Sequence, residues 1–159
     1  MRTALVALCL CMIPLTVPAQ GAGIAFGSLQ QDTSLPVEIS ADSLSVNQQT
    51  GSAEFTGNVT IGQGEMRLAA GRVLVIYAEE QGRIRRLEAS GGVTLVSGAD
   101  AAESRSAEYD IDSGIVQLRG DVLLTQGRSA MTADSMTVNL QTGEARMQGR
   151  VRTLLQPQD

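Results

Sequence analysis

Four six-residue segments of this chain align without gaps, and this repeat limits the possible fold more than any other feature. They are Ala41-Asp42-Ser43-Leu44-Ser45-Val46, Ala70-Gly71-Arg72-Val73-Leu74-Val75, Ser106-Ala107-Glu108-Tyr109-Asp110-Ile111 and Ala133-Asp134-Ser135-Met136-Thr137-Val138. Each begins with a small residue and carries large apolar residues at its fourth and sixth positions. Each is followed by a turn glycine (Gly51, Gly82, Gly114, Gly143) and then by a Gly-x-Val element. These elements are Gly57-Asn58-Val59, Gly91-Gly92-Val93, Gly120-Asp121-Val122 and Gly149-Arg150-Val151, spaced 34, 29 and 29 residues apart. A fixed period of this kind means stacked copies of one supersecondary unit.

Within a unit the apolar residues alternate, as in Val37, Ile39, Ala41 and then Leu44, Val46, which is the mark of a strand with one buried face. Glycine recurs too often for long helices. Gln-Thr-Gly at 49–51 and 141–143, and Asp-Ser-Gly at 112–114, supply the positive φ of tight turns. Inward parity switches between Ala41 and Leu44, between Ala70 and Val73, and between Ala133 and Met136. A one-residue slip would turn a strand inside out, so these switches predict bulges or corners where the sheet bends. A sheet bent at the same place in every unit curls into a trough or flattened barrel, and the turn signals predict about 12 to 16 short strands. The inward set is almost wholly aliphatic. Pattern alone allows two readings of it, an ordinary packed core or a groove for something long and apolar, and most buried strand faces are core.

The chain has 159 residues, enough for one domain. Arg2, the apolar run Ala4 to Val17 and the small residues of Val17-Pro18-Ala19 read as a secretory signal, with cleavage expected after Ala19. A spanning helix needs about 20 apolar residues, and Pro14 and Pro18 interrupt this run. Cleavage would remove both cysteines, Cys9 and Cys11, so the exported chain could form no disulfide. Residues 20–34 are small and polar with no sustained period, a lead-in expected to be flexible. Residues 35–155 form the repeat domain and 156–159 a tail. Beyond residue 19 there are eleven Arg and no Lys against seventeen Asp and Glu. That balance argues against nucleic acid as a partner.

Residues 20–159 contain no His, Cys or Lys and no Gly-x-Ser-x-Gly elbow, so the usual bases and nucleophiles are missing and no cofactor site is expected. Glu108, Asp110 and Asp112 alternate along one predicted strand, and a solvated outer face answered by Arg105 or Arg119 accounts for them. Calcium binding there would need convergent loop oxygens, which the sequence does not display. Arg83, Arg85 and Arg86 form the one basic cluster, read either as an edge strand blunted by charge or as a docking point for phosphate or carboxylate. Asn58-Val59-Thr60 fits a glycosylation sequon but is better explained as part of the repeat.

Leu35-Pro36-Val37-Glu38-Ile39-Ser40-Ala41-Asp42-Ser43-Leu44, then Gly51 and Phe55-Thr56-Gly57-Asn58-Val59, resembles the start of the LptA/OstA family of periplasmic lipopolysaccharide transport proteins. Tyr109-Asp110, Leu118-Arg119-Gly120-Asp121-Val122 and Gln126-Gly127 are similar to its second half. The resemblance spans about residues 35 to 151. It implies an all-β, open antiparallel β-jellyroll whose four strand–turn–strand units shelter lipid A acyl chains. It also implies head-to-tail stacking into a bridge between inner- and outer-membrane components. The groove set is then Leu44, Val46, Phe55, Val59, Ile61, Leu68, Val73, Val75, Val93, Leu95, Tyr109, Ile111, Leu118, Val122, Leu124, Met136 and Val138. Arg83, Arg85 and Arg86 are candidates for headgroup or edge contacts. Two alternatives stay open: a bitopic component of the same system that keeps its N-terminal anchor, and a structural β-repeat without a lipid ligand.

Overall fold

The computed structural model describes residues 23–25, 32–79 and 82–154. The described residues form one antiparallel sheet of eleven strands. In chain order these are β1 (Gly23–Ala25), β2 (Glu38–Ser40), β3 (Ser43–Asn47), β4 (Ser52–Gln63), β5 (Met66–Tyr77), β6 (Ile84–Ser97), β7 (Asp100–Asp110), β8 (Ile115–Gln126), β9 (Ser129–Asn139), β10 (Glu144–Gln148) and β11 (Arg152–Leu154). The strands β4 to β9 pair in sequence order. The count falls below the 12 to 16 expected because β4 to β9 run unbroken through the corner that the parity switches predicted.

At that corner the register slips between Thr56 and Val59, between Ser90 and Val93, and between Arg119 and Val122. The extra residue sits on the Gly-x-Val strand, opposite the strand whose parity switches. Both residues of each Gly-x pair are left-handed, for instance Gly120 at φ 84° and Asp121 at φ 48°. Buried positions therefore step by four on β4, β6 and β8 (Ala89 to Val93, Leu118 to Val122) and by three on β5, β7 and β9 (Ala70 to Val73, Ala133 to Met136). An inserted bulge bends the strand and re-aims its side chains, so the apolar set stays on one side along the whole strand.

The corner divides the sheet into two halves. The A half runs from β3 through residues 52–56, 72–76, 86–90, 106–110, 115–119 and 135–139 to β10 and β1. The B half runs from β2 through 60–62, 67–69, 94–96, 101–103, 123–125 and 130–132 to β11. Part of the lead-in expected to be flexible is thus strand: β1 pairs antiparallel with β10, at the far end of the sheet from β2. The expected leader at 1–19, its cleavage point and the tail at 156–159 lie outside the described residues.

The turns repeat too. Asn47 Oδ1 accepts from the backbone N–H groups of Gln49 and Thr50 at 3.0 and 3.2 Å. Asn139 Oδ1 accepts from those of Gln141 and Thr142 at 2.9 and 3.1 Å. Asp110 Oδ1 accepts from the Ser113 N–H and hydroxyl, both at 2.8 Å. The carbonyl-bearing side chain four residues before the turn glycine makes an Asx turn. That residue is part of the signal, alongside the Thr-Gly and Ser-Gly pairs.

Candidate functional site

The two halves enclose a single aliphatic interior. Val59, Ile61, Leu68, Val73, Val75, Val93, Leu95, Tyr109, Leu118, Val122, Leu124, Met136 and Val138 are all buried. They belong to one cluster, against which Phe55 and Ile111 are partly buried. Fifteen of the seventeen expected groove residues thus line one continuous face, packed as a core.

The other two differ. Leu44 and Val46 are 57% and 62% exposed. They stand opposite Phe55 and Ala53 across β3–β4, so they share the interior face. Their strand is the last of the A half at this end, and among the described residues no further strand covers them. The interior is therefore closed along its length and laid bare at the β3 end. Beside it, a cleft of about 520 Å³ is lined by β2 and the residues just before it, among them Leu35, Pro36 and Ile39, and by Thr60 and Arg67.

Opposite the corner, a hydrogen bond links the halves. The Tyr109 hydroxyl donates to Gln63 Oε1 at 2.7 Å, although β5 and β6 separate their strands in the sheet. Gln63 Nε2 in turn donates to the carbonyls of Thr33 and Leu35, at 3.1 and 2.9 Å, which holds the chain entering β2. Burial pushes the Tyr109 phenol up to about 12, opposed by its bond to Gln63. Gln63, Ser97 and Asp100 are buried polar residues that the aliphatic pattern concealed. Two of them announce themselves only as the polar residue just before a turn glycine, Gly64 or Gly98.

The charged residues form isolated pairs and one shared cluster. Arg83 donates to Asp112, while Arg86 lies 3.1 Å from Glu88 and 3.8 Å from Glu108. Arg119 also reaches Glu108 at 3.8 Å, but Arg105 pairs with Asp121 at the corner, so Glu108 is answered by Arg86 and Arg119. Asp110 is held below the usual carboxylate range by the Ser113 N–H and hydroxyl, with Arg86 and Arg85 adding to the effect. The edge-strand reading of Arg83, Arg85 and Arg86 is corrected: β6 lies in mid-sheet between β5 and β7. Sequence gives the strand but not its neighbours. Among the described residues, no group of three or more acidic, His or Cys side chains is placed to hold a metal ion.

A row of polar clasps crosses the corner. Asn58 Nδ2 donates to Asp42 Oδ2 at 2.8 Å, Arg105 pairs with Asp121, and Arg150 Nη2 lies 2.5 Å from Asp134 Oδ1. Asn58 is thereby accounted for by the repeat. In the second unit the same place holds Gly71 against Gly91, so close that a Cβ on either would meet the other's backbone, at 3.1 Å from Gly71 and 3.3 Å from Gly91.

An antiparallel sheet folded at one corner over a largely aliphatic interior, laid bare at the β3 end, defines an open β-jellyroll. Residues 38–144 match the family model of LptA/(LptD N-terminal domain) LPS transport proteins, and the chain belongs to that family. It is a family of transport proteins, not of enzymes. An uncharacterized protein of Rhizobium meliloti (strain 1021) is 32% identical over 151 residues, covering 88% of this chain and 81% of the relative. The lipopolysaccharide export system protein LptA of Haemophilus influenzae is 26% identical over 141 residues, covering 82% of each. The crystal structure of LptH, the LptA-homologous periplasmic component of the lipopolysaccharide transport device of Pseudomonas aeruginosa, superposes with a TM-score of 0.71 at 16% identity. That match covers 80% of this chain and 99% of LptH, and it shows the shared fold.

Proposed function

We propose that the chain is exported to the periplasm, shelters the lipid A acyl chains of lipopolysaccharide against its interior face, and passes the lipid from inner to outer membrane. In this reading it forms one link of a head-to-tail row joined to inner- and outer-membrane components. The observation that carries the proposal is the interior face itself, largely aliphatic and uncovered at Leu44 and Val46. Acyl chains meet the protein there first. Each methylene moved from water onto that face gains about 0.8 kcal/mol, enough for a few carbons to hold a lipid.

The test is photocrosslinking in cells, with a crosslinker at Val46 and another at Tyr109. Labelling of lipopolysaccharide at Val46 is expected, and labelling at Tyr109 would mean that lipid travels through the interior. A second reading, a β-repeat protein without lipid, is favoured by the tight packing of the interior, where Val73, Leu95 and Leu124 are fully buried. Failure of both positions to label, with the fold intact, would leave that reading standing. Export is tested separately by the N-terminus of the native protein: Gln20 supports cleavage, Met1 an anchored form.

A further inference from the structure

The two ends of the sheet are not equally available. Among the described residues, both edge strands at one end, β2 and β3, have an unpaired side. At the other, β11 has no second partner among the described residues in the B half, but β10 in the A half is already paired with β1. Every neighbouring pair in the sheet is antiparallel. Counting direction across the A half, β1 runs the same way as β3. A second copy added end to end would set its β3 against β10 in that same antiparallel sense, and its β2 against β11. Gly23–Ala25 therefore occupies the place, and runs in the direction, of the next copy's β3.

We propose that β1 is a displaceable edge cap: it covers β10 in the single chain, and a second copy joins this end by displacing β1 with its own β3. This rests on the end-to-end reading above and adds a competitor to it. The exchange is favourable for three reasons. β1 offers three paired residues, whereas β3 offers five (Ser43–Asn47). The incoming copy also gains the β2–β11 pairing in the B half, which β1 does not supply. It would further cover Leu44 and Val46, 57% and 62% exposed, alongside Ala145 and Met147 on the interior face of β10. An uncovered edge invites unwanted pairing, and a tethered cap of three residues covers it at a high effective concentration without binding tightly.

The test locks the cap. Ile24 and Ala145 are directly opposite in register, and such Cα pairs lie within disulfide reach. An Ile24→Cys/Ala145→Cys chain, in a Cys9→Ser/Cys11→Ser background, is compared oxidised and reduced by sedimentation over a concentration series, beside a chain lacking residues 23–25. The oxidised form is expected to stay a single chain, the reduced form to associate, and the deletion to associate about tenfold more tightly, or about 1.4 kcal/mol. If the cysteines do not join, or if the locked chain associates as well as the reduced one, the cap is overturned while stacking stands. If no form associates at any concentration, the end-to-end reading fails and the cap with it.

Discussion

Replacing the corner glycines with alanine separates two costs that usually arrive together. Gly92 and Gly120 have nearly the same φ, 82° and 84°, on central strands. A Cβ added at Gly92 meets nothing within 4 Å, while one at Gly120 meets Arg105 Cδ at 3.0 Å and its Cβ and Cγ at 3.1 Å. Left-handed backbone costs alanine about 1 kcal/mol relative to glycine. That is the whole expected loss for Gly92→Ala. Gly120→Ala adds crowding against a Cβ that cannot swing away, about 1–2 kcal/mol more. For a chain of this size each kcal/mol moves Tm by about 2–4 °C, so Gly120→Ala is expected to lose two to three times as many degrees as Gly92→Ala. Thermal denaturation followed by far-ultraviolet circular dichroism measures both. The chain also contains its own control, since Gly71 faces Gly91 where Arg105 faces Gly120. Adding Arg105→Gly to Gly120→Ala removes the side chain that crowds the new Cβ, and a favourable coupling of about 1 kcal/mol is expected. Equal losses for the two single variants, or strict additivity in the double, would refute the steric account of the corner.

Tyr109→Phe removes the bond to Gln63 and is expected to cost about 1 kcal/mol of unfolding free energy in denaturant titration. The phenol's pKa is raised from 10.0 to about 12 in the fold, so its contribution is fully present below pH 10 and is lost as pH rises toward 12. Alkaline titration of tyrosinate absorbance should show that late transition, and Tyr109→Phe should abolish it. Leu124, with no exposed surface, should lose about 2–5 kcal/mol on truncation to alanine; Leu44→Ala, at an exposed end, should barely change Tm while weakening end-to-end association. The bond from Arg150 holds the Asp134 carboxyl below its ordinary 3.8. Arg150→Ala should therefore return the Asp134 titration toward 3.8 by carbonyl-carbon NMR, and an unmoved titration would deny the clasp.

The groove set shows what a strand pattern can and cannot reveal. Val73, Val75, Leu118 and Val138 could be assigned to one face because side-chain parity is a local property. The corner was legible for the same reason, since the parity breaks at Ala70–Val73 and Ala133–Met136 are local. Leu44 and Val46 have the same parity and were indistinguishable from the rest; whether a further strand covers them depends on sheet order. Arg86 is the same case with charge: its strand was readable, but not its place in mid-sheet beside Glu108. Gln63 was hidden more deeply, because its partners Tyr109, Thr33 and Leu35 meet it only when the halves close.

By itself, the sequence determined the all-β class, the four units, their turns and the face that each strand buries. All of these follow from two-residue periodicity and from positions where only a left-handed residue fits. The tertiary structure decided which strands are edges, which charges meet, and that β1 returns to lie on β10. Those depend on contacts between residues far apart in the chain, and no local pattern encodes a neighbour. The four-unit repeat explains both outcomes: near-identical units specify their own shape well, and say little about which of them stands at an end.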